Sequence, residues 1–151
     1  MTKAGKRIAM LSRIRNNITV YCANIIYTSF IHPIFDYCDT IYHCCGEVNS
    51  KLLEKLQRRA AHIVCKSYDS DTAMISLKWG TLTSRRKQYT FSLVKKCISG
   101  RCPQFFINYF SFNKTISSRV NRQSNLLHLP RVRTEIVSFY YNGCKIYNAK
   151  S

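Results

Sequence analysis

Acidic residues are scarce in this chain of 151 residues, which has seven Asp and Glu against 24 Lys and Arg and a formal net charge of +17. Residues 72–134 contain no acidic residue at all, and twelve Lys and Arg are distributed there among aromatic and amide side chains. Phosphate repeats along a nucleic-acid backbone, so a surface that binds it needs many cations. The composition therefore favours a polyanion as partner: DNA, RNA or an anionic membrane surface.

The shortage of carboxylates also argues against catalysis, because metal-dependent phosphoryl transfer needs several of them converging on the ions. The close pairs are Asp36 with Asp39 and Asp69 with Asp71, each near a predicted helix end where a capping or turn role is expected. The five glycines form no phosphate-binding loop. A Cys–His nucleophile would need Cys65 with His62 or Cys45 with His43, and nothing else in the sequence supports either pair. We predict that this chain alone is not an enzyme and takes no cofactor.

No Cys-x-x-Cys pair occurs among the eight cysteines, and no signal peptide is recognisable in residues 1–10. We therefore expect free thiols in a reducing compartment. A zinc site is the alternative, but two adjacent cysteines cannot easily reach one tetrahedral ion, and we predict no metal site. The residues considered for zinc are Cys38, His43, Cys44, Cys45, Cys97 and Cys102.

The longest apolar run, residues 18–37, is nearly long enough to span a bilayer. It includes Asn24, His32, Pro33 and Asp36, so a buried helix over 19–31 that ends near Pro33 fits better. This helix is apolar almost all round and is expected to be the most buried element. A membrane is therefore not an expected partner.

Residues 51–66 carry the clearest helical pattern, capped by Asn49 or Ser50. At about 100° per residue, one arc holds Leu52, Leu53, Leu56, Ala60, Ile63 and Val64, and an arc on the far side holds Lys51, Lys55, Arg58, Arg59, His62 and Lys66. The first face suits a core, and the second suits either solvent or phosphate.

The remaining pattern predicts a mainly α fold: a helical, thumb-like bundle with a long basic loop before a C-terminal helix. Further helices are expected over residues 3–15, 72–79, 103–110 and 136–148, and the loop over 111–134. Another helix is expected from a cap at Thr81 or Thr83 to about residue 99, with Gly100 as its stop, and Asn17 or Thr19 can cap the helix over 19–31. Trp79 is expected to anchor the core, with stacking on a base as the alternative. We predict one structural unit, with residues 1–110 as a helical domain and residues 111–151 as the basic loop and C-terminal helix.

Some cations sit where they do not help a helix. Arg85 and Arg86 lie near a predicted helix N-terminus, where they oppose the dipole, which suggests an anion nearby. Arg131 and Arg133 follow Pro130 in a predicted extended loop. Such contacts position a nucleic acid rather than specify its sequence. The predicted nucleic-acid-binding residues are Lys51, Lys55, Arg58, Arg59, Arg85, Arg86, Arg131 and Arg133.

Short motifs in the same order along nearly the whole chain carry a family resemblance. They are AGKRI at 4–8, LSRIR at 11–15, YTSFIHPIFDYCD at 27–39, LEKLQRRAAHIV at 53–64, LKWGTL at 77–82, CPQFF at 102–106 and LPRVRT at 129–134. Together they resemble the region just after the polymerase domain in non-LTR (LINE-type, jockey-like) retrotransposon reverse transcriptases.

The resemblance implies a helical thumb with its C-terminal extension, which clamps an RNA–DNA or DNA duplex beside the palm of an RNA-directed DNA polymerase. The palm is then a possible partner, and the expected location is intracellular, nuclear if the chain functions. Fingers, palm and the metal-binding aspartates of the family are absent, and residues 146–151 (IYNAKS) depart from the family's Leu-Trp-Asn-x-Leu-Pro-like ending. The expectation is a non-catalytic fragment, and the alternative is a scaffold or inert remnant of the polymerase.

Overall fold

The computed structural model describes residues 3–37, 39, 46–116, 123–131 and 139–150. Of these residues 73% are helical and none forms a strand, which confirms the mainly α prediction. The chain divides between Arg85 and Arg86 into two compact units. The described residues of the first unit lie within Met1–Asp39 and Gly46–Arg85, and those of the second lie within Arg86–Ser151. The division after residue 110 expected from the sequence stays a prediction.

The described residues form nine α-helices, a 3-10 turn and a π segment. In chain order they are α1 (Lys3–Ile14), a 3-10 turn (Arg15–Asn17), α2 (Val20–Ile26), a π segment (Tyr27–Ile31), α3 (His32–Asp36), α4 (Glu47–Cys65), α5 (Ser70–Ser76), α6 (Leu82–Ile98), α7 (Gln104–Ile107), α8 (Asn113–Ile116) and α9 (Phe139–Asn148).

The apolar run at 18–37 differs from its prediction in two ways. Its helical path does not end near Pro33 but continues to Asp36. The helix accommodates the proline because a π segment ends at Ile31, just before it, and the His32 N–H donates to the Tyr27 carbonyl. The run is also not fully buried, since Tyr21 and Phe30 are largely exposed. Within the described part of the chain, no helix combines the length and apolar character needed to cross a membrane.

One stripe of this run supplies the core of the first unit. Its four buried residues recur every fourth position, at Ala23, Tyr27, Ile31 and Phe35. In a regular α-helix that spacing drifts by about 40° at each step. The π segment turns less per residue and so keeps the four on one side. They pack with other buried residues of the unit, namely Ala4, Ile8, Leu11, Ala60, Val64 and Leu82.

Helix ends in the first unit follow local chemistry. The Thr19 hydroxyl accepts the Cys22 N–H at 3.2 Å and caps α2, as predicted. The α4 helix begins earlier than expected, at Glu47 after Gly46, so Asn49 and Ser50 lie inside it and do not cap it. It ends at Lys66, whose φ of 53° is left-handed. The Asp69 carboxylate then accepts the Thr72 N–H at 2.8 Å and caps α5, the role predicted for it.

The predicted core residues of α4 are buried only in part. Ala60 and Val64 are fully buried, and Leu53, Leu56 and Ile63 are partly buried against the core. Leu52 is the exception at 54% exposed. Trp79 serves as the expected core anchor: its ring stacks on Tyr27 with centroids 3.8 Å apart.

The second unit has a core of its own, built from Val94, Cys97, Phe110, Leu127 and Cys144. Residues 111–134 are not wholly a loop, because α8 lies within them and an antiparallel bridge joins Phe112 to Leu127. The Asn148 side chain bonds the Leu127 backbone at both its N–H (2.8 Å) and its carbonyl (2.9 Å). Of the aromatic residues in the acid-free stretch, Phe106, Phe110 and Phe112 pack in this core, whereas Tyr89, Phe105 and Tyr109 are exposed.

Candidate nucleic-acid interface

The predicted cations of α4 lie on its solvent-exposed face. Lys51, Lys55, Arg58 and Arg59 are all exposed. Lys51 pairs with Glu47 at 2.7 Å, and the Arg58 Nε lies 3.4 Å from an Asp71 carboxylate oxygen. Within the residues the structure describes, neither Lys55 nor Arg59 has an ion-pair partner.

Both ion pairs on this face are weak. All four side chains are more than half exposed, and exposed ion pairs contribute little to stability because water and salt screen them. Arg58 therefore loses little if it exchanges Asp71 for a phosphate. The hydrogen bond from Lys51 lowers the pKa of the Glu47 carboxyl group, so this pair is present at neutral pH.

Two of the grooves beside this face share residues at its C-terminal end. The first, of about 640 Å³, is lined by Leu52, Lys55, Leu56, Arg58, Arg59, His62, Tyr68 and Ser70. The second, of about 450 Å³, is lined by Ser12, Arg15, Asn16, His62, Ile63, Lys66, Ser67 and Tyr68. His62 and Tyr68 border both grooves. Cations edge the first groove and two leucines form part of its wall.

One arginine that lines the second groove has a structural role that the sequence pattern did not reveal. Arg15 is buried; its Nε donates to the Val64 carbonyl at 2.9 Å and its Nη1 donates to the Ile18 carbonyl at 2.7 Å. It thereby ties the end of α1 to the last turn of α4, whose carbonyls lack partners within the helix. These contacts of Arg15 help to fix the position of α4 against α1.

The arginines at the start of α6 are placed quite differently from those of α4. Arg85 Nη2 lies 2.9 Å from an Asp36 carboxylate oxygen, and each side chain of this pair is about two-thirds buried. Arg86 is only 3% exposed. Arg85 therefore has a carboxylate partner, and Arg86 is buried. Both differ in this from the exposed cations of α4.

The N-terminus of α6 also receives an anion from the protein itself. The Glu54 carboxylate accepts the Thr83 N–H at 2.7 Å, the Thr83 hydroxyl at 2.8 Å and the Leu82 N–H at 3.3 Å. Thr81 adds a cap by accepting the Ser84 N–H at 3.2 Å. A carboxylate at this end offsets the helix dipole and satisfies its free N–H groups. Glu54 thus supplies a carboxylate to the N-terminus of α6, and Asp36 supplies one to Arg85.

The remaining predicted residues lie outside the first unit. Arg131 is exposed and belongs to the second unit. Arg133 lies outside the described residues, as do the zinc candidates Cys38, His43, Cys44 and Cys45. Elsewhere in the described chain no cluster of His, Cys, Asp and Glu is suited to hold a metal.

The cysteines that the structure describes are free thiols. Burial raises the pKa of Cys97 to about 11, with the neighbouring Cys102 adding to the effect, and burial raises the pKa of Cys144 to about 12. Both therefore stay protonated at neutral pH and are poor nucleophiles. The Cys65 sulfur lies 3.4 Å from the Ser76 hydroxyl and 3.9 Å from the Ala73 carbonyl. Within the described chain no hydrogen bond joins it to His62.

Comparison with protein-family models, curated proteins and solved structures finds no match to this chain.

Proposed function

We propose that this chain is a non-catalytic nucleic-acid-binding fragment of a retrotransposon reverse transcriptase, and that it holds a template–primer duplex through the outward face of α4. The sequence motifs support the family assignment. The observation that carries the binding proposal is the placement of Lys55 and Arg59, which are exposed, one helical turn apart and without an ion-pair partner in the described chain. Arg58 joins them through an exchangeable pair with Asp71.

Binding is electrostatic in this proposal. Lys55 and Arg59 approach backbone phosphates and release condensed counterions, which supplies much of the affinity. Because the contacts are to phosphate, they hold the duplex in place without reading its sequence. RNA–DNA hybrid and DNA duplex are both suitable ligands for such a surface, and the missing catalytic carboxylates belong to the palm.

A salt titration tests the proposal. The chain is titrated with a fluorescent duplex from 50 to about 200 mM salt, beside the double variant Lys55→Gln with Arg59→Gln. If both residues contact phosphate, the double variant lowers the slope of log K against log salt by about 1.8, since each contact on B-DNA contributes about 0.9.

The matched control is the double variant Lys95→Gln with Lys96→Gln, which removes the same charge from exposed residues in the last turn of α6. It is expected to leave the slope nearly unchanged. Wild-type binding that is absent at low salt, or that does not respond to salt, contradicts the proposal. Equal effects of the two double variants contradict its assignment to α4.

The exposed apolar residues of the first unit favour a second candidate function, which is scaffolding of the polymerase. Tyr21, Ile25 and Phe30 are exposed on the run from α2 to the π segment, and Met10 on α1 is 65% exposed. Side chains of this kind suit a protein partner such as the palm domain. Mixing the chain with separately expressed palm distinguishes the two: association that has no effect on nucleic-acid binding supports scaffolding.

A further inference from the structure

Tyr68 is the most exposed of the large hydrophobic side chains that the structure describes in the first unit, and it is fully exposed. It lies in the turn between α4 and α5, and the backbone on each side of it is fixed. The left-handed Lys66 ends α4, the Ser67 hydroxyl donates to the Asp69 carbonyl at 3.2 Å, and the Asp69 carboxylate caps α5. The turn therefore presents an aromatic ring on an anchored backbone without using that ring in the core.

The position of Tyr68 relates it to the cations of α4. Tyr68 and His62 border both grooves, one of which also contains Arg59 and the other Lys66. A polyanion that crosses from one groove to the other therefore passes the Tyr68 ring. Exposed Leu52 and half-buried Leu56 line the first groove as well, so the path offers apolar surface beside its charges.

Duplex and single strand would use this surface differently. Bases inside a duplex are already stacked on each other and offer the protein only phosphates and groove edges. An unpaired nucleotide exposes the face of its base, and an aromatic side chain can stack on that face with little regard to sequence. Cations that hold the backbone together with an aromatic ring that receives a base are the usual elements of single-strand binding.

We propose that Tyr68 stacks on an unpaired base, so that the α4 surface prefers a duplex that continues into a single strand over a blunt duplex. This inference rests on the proposed function, since the α4 cations hold the phosphates on either side of the stacked base. Tyr68 supplies affinity for the unpaired segment, and Lys55 and Arg59 supply affinity for phosphates in both kinds of ligand.

The test uses three probes that share one duplex: a blunt end, a single-stranded overhang that contains 2-aminopurine, and an overhang of equal length made of abasic sites. The abasic probe keeps the added phosphates and removes the bases. Wild-type protein is expected to bind the base-containing overhang about 10-fold more tightly than the abasic one, and to change the 2-aminopurine fluorescence on binding.

Three variants assign the effect to the ring. Tyr68→Ala should abolish the preference for bases and the fluorescence change, and should weaken binding of the blunt duplex far less than binding of the base-containing overhang. Tyr68→Phe should keep both signals, because stacking needs the ring and not the hydroxyl group. Tyr21→Ala, which removes an exposed tyrosine from α2 that borders neither groove, should behave as wild type. Circular dichroism checks that each variant is folded.

The outcomes separate this inference from the function on which it rests. Salt-dependent binding of all three probes with equal affinity for the two overhangs overturns the stacking role and leaves the proposed function standing. The same holds if Tyr68→Ala keeps the preference for bases, or weakens the blunt duplex as much as the overhang. Absence of binding to every probe at low salt overturns both.

Discussion

The face of α4 and the start of α6 carry similar cations, but these cations lie in opposite environments. Lys55 and Arg59 on α4 are exposed and have no ion-pair partner within the described chain. Arg85 pairs with Asp36, and Arg86 is buried. The difference teaches that cation density does not locate a phosphate-binding surface. A cation is available to phosphate only if it is exposed and is not already paired with one of the few carboxylates of the protein.

Removal of the Glu54 carboxylate should have the largest effect on this comparison. Glu54→Ala deprives the start of α6 of an acceptor for two N–H groups and one hydroxyl, and hydrogen bonds to charged groups are worth about 1.5–3 kcal/mol. We expect a loss of about 2 kcal/mol in the free energy of unfolding, measured by urea denaturation.

Glu47→Ala is the matched control, because it removes an exposed carboxylate with a weak ion pair from the same helix and should cost far less stability than Glu54→Ala. If the two variants are equally stable, Glu54 does not serve α6, and the start of that helix is again open to an external anion.

Acidification should have a smaller effect, through His32. Burial lowers the pKa of this imidazole, Asp36 opposes the shift and Arg85 adds to it. The unfolded chain therefore takes up the proton at the ordinary value of about 6.5, before the folded chain does. Stability should fall as the pH drops below that value, by less than about 1.4 kcal/mol per pH unit for one proton.

Urea denaturation from pH 7.5 to 5 measures this dependence. His32→Gln should flatten it, because this variant has no imidazole to protonate at that position. If stability depends on pH in His32→Gln as it does in the wild type, protonation of His32 does not cause the dependence. The placement of Arg85 in a partly buried site that disfavours a further positive charge would then lose support.

The smallest expected effect compares two lysines on the α4 face itself. Lys51 is paired with Glu47 and Lys55 has no such partner in the described chain. Lys51→Gln should therefore weaken duplex binding less than Lys55→Gln does, with a difference of about 2-fold in Kd at 0.1 M salt, because an exposed pair is weak. Fluorescence anisotropy with one duplex measures both. A larger loss for Lys51 would contradict the rule that a paired cation contributes less.

Local signals in the sequence were enough to predict much of the fold. The caps at Thr19, Asp69 and Thr81 and the helix stop at Gly100 depend on neighbouring residues, and the structure has them as expected. The continuation through Pro33 was missed because a π segment leaves no clear mark in apolar periodicity.

The candidate site was predictable only in part, for a related reason. Helical spacing alone places Lys55 and Arg59 together on α4. The partners of Arg85 and of the α6 N-terminus are Asp36 and Glu54, which are distant in sequence, and no local pattern reveals such contacts. Tyr68 was missed as well, because full exposure in a turn depends on how α4 and α5 end.

The most direct test of the central claim compares the salt dependence of duplex binding in Arg59→Gln and Arg85→Gln. Both variants remove one positive charge from an arginine predicted from sequence to contact phosphate. We expect Arg59→Gln to lower the slope of log K against log salt by about 0.9, the value for one phosphate contact. Arg85→Gln should leave the slope unchanged. A slope lowered by Arg85→Gln as much as by Arg59→Gln, in folded protein, would contradict the claim.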